Sequence, residues 1–144
     1  MKLLPVVVLL SLASVSIAQS NKAAQVARGK YLVRHVAMCG DCHTPRDEKG
    51  NPLPGKELGG SPLAFKPLAP MPWAAIAPAI AGSSGFKANE LVTFLMTGKL
   101  EGASPRPPMP EYHLSSADAY AVVAYLRSLP GSSGPAKSTE AKKN

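Results

Sequence analysis

Fifteen prolines in 144 residues decide where this chain can be helical. Proline lacks an amide hydrogen and its ring clashes with the preceding turn, so it ends or kinks a helix. Pro45, Pro52, Pro54, Pro62, Pro67, Pro70 and Pro72 leave room for no more than a turn or two between Thr44 and Ala77. Pro105, Pro107, Pro108 and Pro110 do the same between Lys99 and Tyr112. Three windows remain. Residues 21–38 place Val26, Gly29, Leu32 or Val33, and Val36 at helical spacing, with Asn21 as the candidate cap. Residues 87–97 put Leu91, Phe94 and Leu95 on one face, with Glu90 near the positive helix end and Gly98 as a stop. Beyond Ser115, which can cap with Asp118 three residues on, Ala119, Val122, Val123 and Leu126 form one apolar face that ends at Pro130-Gly131. The expected fold is all-α, three to four helices joined by long Pro-rich loops. Gly50-Asn51 and Gly59-Gly60 mark turns, and a short hairpin between about Leu58 and Trp73 is compatible with them but has no periodicity in support. Long ordered loops are usually functional or wrapped around something.

The first window delivers Cys39-Gly40-Asp41-Cys42-His43, a C-x-x-C-H element. That spacing is the attachment pattern of a c-type haem. Two thiols three positions apart can add to both vinyl groups on one porphyrin edge, and His43 is then placed to bind the iron. A bound haem would also give the loops a large apolar body to pack on. Cys39 and Cys42 are the chain's two cysteines, so no thiol is left for a disulfide elsewhere. Cys-x-x-Cys is also thioredoxin-like spacing, but that fold puts the pair after a strand, and here it follows a helix. A closed zinc site wants four ligands, one more than these residues supply.

The N-terminus reads as an export signal. Met1-Lys2 is a basic start, Leu3 to Val15 is mostly apolar, and Ser16-Ile17-Ala18 has the small-x-small form of a cleavage site. The apolar run is short of the ~20 residues that span a bilayer. The expectation is a signal peptide at 1–18, a domain at 19–130 outside the cytoplasm, and a disordered polar tail at 131–144. No other stretch is apolar enough to be a transmembrane segment. Removing residues 1–18 takes one Lys from the 16 basic residues and none of the 9 acidic ones, leaving a net charge of +6. A basic surface suits an acidic partner or a membrane face. No Lys/Arg run interleaved with aromatics points to nucleic acid.

A haem that carries electrons needs a second axial ligand, and thioether sulfur raises its potential. Met38 abuts the attachment site, and Met96 lies near the end of a helix, where core packing is the expected role. Pro70-Met71-Pro72 and Pro108-Met109-Pro110 each hold a methionine between stiffening prolines. Met109, far from His43 and just before the last helix, is favoured over Met71. His113 could replace it in a bis-histidine site, and His35 precedes Cys39 by one helical turn, but both read as surface or hydrogen-bonded histidines.

Taken in order, the helix with Gly29, the Cys39–His43 motif, the Met109 loop and the amphipathic last helix resemble the class I c-type cytochromes over about residues 22–130. The run Arg106-Pro107-Pro108-Met109-Pro110 and the stretch from Ala121 to Pro130 look like the end of that domain. Cys42-His43-Thr44-Pro45-Arg46 is similar to haem domains of periplasmic dehydrogenase cytochrome subunits. The resemblance implies an all-α cytochrome c fold around one haem c, attached through Cys39 and Cys42. Its first and last helices would cross with Gly29 near Tyr125 or Leu126. It implies that Pro78, in Pro78-Ala79-Ile80-Ala81-Gly82, accepts a hydrogen bond from His43. Trp73 and Arg106 are candidates to bind the haem propionates. Two departures stand out: Ala79 replaces a common amide, and the segment from His43 to Pro78 is longer than in small cytochromes. The function implied is periplasmic one-electron transfer by low-spin iron held by His43 and Met109. The protein would be a soluble carrier or the cytochrome subunit of a dehydrogenase or oxidase complex, with no catalysis of its own and an acidic redox partner. A haem enzyme or gas sensor would need an open sixth site, which the clamped Met109 argues against.

Overall fold

Two helices cross where one of them has no side chain. The computed structural model describes residues 19–83 and 85–131. The expected signal, and all of the expected tail after Gly131, lie outside the described residues. Helix α1 runs over residues 19–31. Gln19 and Ser20 already take helical geometry, so Asn21 lies inside the helix rather than capping it. Gly29 is buried against α4 (Ser116–Ser128), where a β-carbon would fall 1.9 Å from the Ala121 carbonyl oxygen and 2.8 Å from Tyr125 Cβ. Only glycine admits that approach.

Beyond Tyr31 the helix widens into a π turn over Leu32–Val36. The Ala37 amide reaches the Leu32 carbonyl at 2.8 Å, and the Cys39 amide reaches Val33 at 3.0 Å. A single turn, α2 (Gly40–His43), follows. The proline-rich segment then forms one small antiparallel pair, β1 (Ser61–Pro62) with β2 (Ile76–Ala77). Residues 63–75 project between them as an excursion. After a tight turn at Ala81–Ser83 come α3 (Ala88–Thr97) and α4.

The helix ends follow local chemistry. The Glu90 carboxylate accepts from the Lys87 amide at 3.1 Å at the start of α3, and Gly98 ends that helix at φ +71°. Ser115 Oγ accepts from the Asp118 amide at 3.2 Å and starts α4. The core lies between the π turn, the turns that carry Leu58 and Ala81, and α4. Leu32, Val33, Leu58, Ala81, Val122, Tyr125 and Leu126 cluster there, each large apolar side chain contributing about 1.5–3 kcal/mol by leaving water. Val92 of α3 packs on Ala119 and Val123 of α4. Met96, expected in the core, is 37% exposed, because it falls one residue round the helix from the inward-facing Leu95. No helix among the described residues is long and apolar enough to cross a membrane.

Candidate haem-attachment site

The wide turn ending α1 sets Cys39 at the start of α2, and the next three residues complete one helical turn. The His43 amide bonds the Cys39 carbonyl at 2.9 Å, and the Thr44 amide bonds Gly40 at 3.1 Å. Residues three apart on a helix share a face, so the Cys39 and Cys42 side chains are neighbours. Both are free thiols and both are half-buried. Burial pushes the Cys39 thiol up to about 11, so it stays protonated at neutral pH.

His43 is buried, and its Nδ1 lies 2.8 Å from the Pro78 carbonyl oxygen. A carbonyl only accepts, so Nδ1 carries the proton and Nε2 keeps its lone pair. Burial lowers the imidazole's pKa, with the Pro78 contact partly opposing it, and the ring is neutral at pH 7. The segment between these residues holds them in place. Leu58, buried and at φ +55°, gives its amide to Thr44 Oγ1 at 3.0 Å. Its carbonyl accepts from the amides of Ile80 and Ala81 at 2.9 and 3.1 Å. The Gly60 amide bonds the His43 carbonyl at 2.8 Å. The turn that carries Leu58 and Gly60 therefore ties the attachment turn to the stretch that carries Pro78.

Met109 is half-buried in a turn closed by its own amide and the Arg106 carbonyl, 3.2 Å apart. The Pro107–Pro108 peptide bond is cis. The Ala74 amide bonds the Pro107 carbonyl at 2.8 Å, and three residues past Met109 the Tyr112 hydroxyl donates to the Ala37 carbonyl at 3.1 Å. Burial raises the Tyr112 phenol's pKa, so the hydroxyl keeps the proton it donates.

The other expected residues fall elsewhere. Met71 is 49% exposed on the excursion, beside a groove of about 540 Å³ also lined by Phe65, Leu68 and Trp73. Trp73 stacks edge-on to Phe65 and turns its Nε1–H to the Phe65 carbonyl, 3.3 Å away. Arg106 is exposed. His35 lies against Tyr31 with ring centroids 5.8 Å apart, and the exposed His113 sits 4.0 Å from Glu111. Two features escaped sequence reasoning. The π turn is silent in a 3.6-residue period, and the Tyr112–Ala37 contact joins residues 75 positions apart. Only the placing of Tyr112 near Met109 could have drawn notice.

These residues fit a covalently bound haem. Two unbridged thiols share one turn, and one imidazole has Nδ1 engaged and Nε2 available. A thioether sits on a segment tied to the same turn. Among the described residues no three His, Cys, Asp or Glu side chains converge to hold a bare metal ion. The chain is 36% identical over 112 residues to the fructose dehydrogenase cytochrome subunit of Gluconobacter japonicus, an alignment covering 72% of this chain and 22% of that protein. It is 31% identical over 118 residues to the cytochrome c subunit of the quinone alcohol dehydrogenase of Gluconobacter oxydans, covering 74% and 24%. The chain thus spans about a quarter of the length of these curated relatives. The cytochrome c family model matches residues 26–130, and the chain belongs to that family, an electron-transfer domain with a haem c bound through Cys39 and Cys42.

Proposed function

We propose that this domain passes single electrons in the bacterial periplasm with His43 and Met109 as its two axial ligands. The observation that carries the reading is the 2.8 Å contact between His43 Nδ1 and the Pro78 carbonyl. It sets the tautomer, aims the ring and raises the basicity of Nε2, as partners of metal-bound histidines do. The haem iron, when bound, alternates between ferric and ferrous states, and a sulfur ligand favours the reduced one. Met109 is favoured over Met71 because its segment is bonded to the attachment turn through Tyr112, whereas Met71 stands on an exposed excursion. Arg106 is the better candidate for a propionate, since the Trp73 donor already faces the Phe65 carbonyl.

The electron donor is proposed to be a dehydrogenase, by analogy with the relatives named above. The net charge of +6 over residues 19–144 suits an acidic docking face. Export rests on the 1–18 leader, and haem attachment outside the cytoplasm agrees with it.

The test is the spectrum of the oxidised protein. Met109→Leu removes the weak sulfur-to-iron band and Met71→Leu keeps it. The reverse pattern would refute the ligand assignment. Mass spectrometry of the periplasmic fraction checks export, with a mature chain starting at Gln19 and carrying one haem.

A further inference from the structure

The segment that carries Met109 is anchored at three points. Upstream, the Pro107 carbonyl takes the Ala74 amide at 2.8 Å. Downstream, the Leu114 amide bonds the Leu95 carbonyl of α3 at 2.9 Å. Between them, Tyr112 reaches the Ala37 carbonyl at 3.1 Å. The first two anchors hold the segment to the excursion and to α3. Tyr112 alone of the three ties it to the turn that presents the cysteines. Ala37 stands at the exit of the π turn, two residues before Cys39.

We propose that Tyr112 is a positioning residue whose hydrogen bond to Ala37 governs how firmly the Met109 sulfur stays on the iron. The inference rests on the assignment of Met109 as axial ligand. Any loosening of the segment raises the fraction of time the sulfur is away, and an outside ligand competes for that fraction. The phenol is well suited to the task. Its rigid ring spans the gap with few rotatable bonds, so little entropy opposes the contact. Half-burial shields the bond from water, where it would otherwise be exchanged for solvent.

The experiment uses the holoprotein and free imidazole as competitor, followed by loss of the sulfur-to-iron band at pH 6. Tyr112→Phe removes the hydroxyl and keeps the ring. It retains the band without imidazole but binds imidazole about two- to tenfold more tightly, the range for one hydrogen bond. Tyr120→Phe, at an exposed tyrosine of α4, leaves the affinity unchanged. Site-specific 3-fluorotyrosine at position 112 has nearly the native shape and a more acidic hydroxyl, and it weakens imidazole binding. It also gives a reading should Tyr112→Phe not accumulate. Urea unfolding is measured in parallel. An unchanged affinity, or one that rises only in step with global unfolding, overturns the proposal. A band that survives Met109→Leu instead refutes the ligand assignment, so the two failures are distinguishable.

Discussion

Gly29 and Ala121 approach so closely that a β-carbon on the glycine would sit 1.9 Å from the alanine's carbonyl oxygen. The obstruction is backbone, which cannot swing aside as a side chain could. Gly29→Ala must therefore push α1 off α4 and open the core around Val33 and Tyr125. Better helix propensity returns at most ~1 kcal/mol. Overpacking costs more, and the expected loss is roughly 3 kcal/mol, read from the urea midpoint of the holoprotein.

Thr44 is 5% exposed, and its Oγ1 is the acceptor for the buried Leu58 amide. Thr44→Val keeps the shape and removes the acceptor. The amide then has no partner, and stability falls by about 1–3 kcal/mol. Chemical denaturation with an unchanged m-value checks this.

Ser83 has two faults. It is 3% exposed with φ +51°, and its buried Oγ makes no hydrogen bond to the described residues. Ser83→Gly removes the hydroxyl and the left-handed strain together. Glycine's extra unfolded-state entropy offsets part of the gain. The net result is a stabilisation of about 1 kcal/mol, seen as a higher melting temperature.

Arg28 and Asp118 join α1 to α4 through two hydrogen bonds, of 2.9 and 3.2 Å. The Arg28 hydrogen bond is the main cause that holds the Asp118 carboxyl below its ordinary 3.8. A carboxyl with a depressed folded pKa stabilises above its unfolded value and loses that contribution as pH falls through the folded one. The stability gap between the native chain and Asp118→Asn should hold from neutrality to about pH 4 and close below it. The pair is exposed, so the gap is small and shrinks with salt. Urea midpoints across that range decide the matter.

The helices are legible in the sequence because their stops and starts are chemical. Ser115 caps through its hydroxyl, Gly98 turns left-handed, and the prolines forbid helix in between. Gly29 is legible for the same reason, as a mid-helix residue that costs propensity and needs a purpose. The His43–Pro78 contact has a sequence pointer too, through the similarity of residues 78–82 to a known element. The interior of the long loop carries no such signals. Pairing of Ser61 with Ala77 depends on backbone that no side chain marks. Leu58 takes a left-handed backbone although its type disfavours one, because Thr44, Ile80 and Ala81 together fix its amide and carbonyl. Met96 illustrates a subtler limit, since a single step around a helix separates core from solvent.

The π turn at Leu32–Val36 makes the spacing between the crossing glycine and the first cysteine a ruler. Each residue in a helix advances the chain by roughly 100° and 1.5 Å. Deleting one residue between Tyr31 and Ala37 would let the turn relax to ordinary pitch. The docking of α1 on α4 through Gly29 would survive, being upstream. The residues after the deletion would keep their phase, because the wide turn holds one residue more than an ordinary one, whereas inserting a further residue would rotate both thiols and the imidazole away together. Length changes in this stretch are therefore asymmetric in their effect, one residue fewer being absorbed by the turn and one more displacing the whole attachment site.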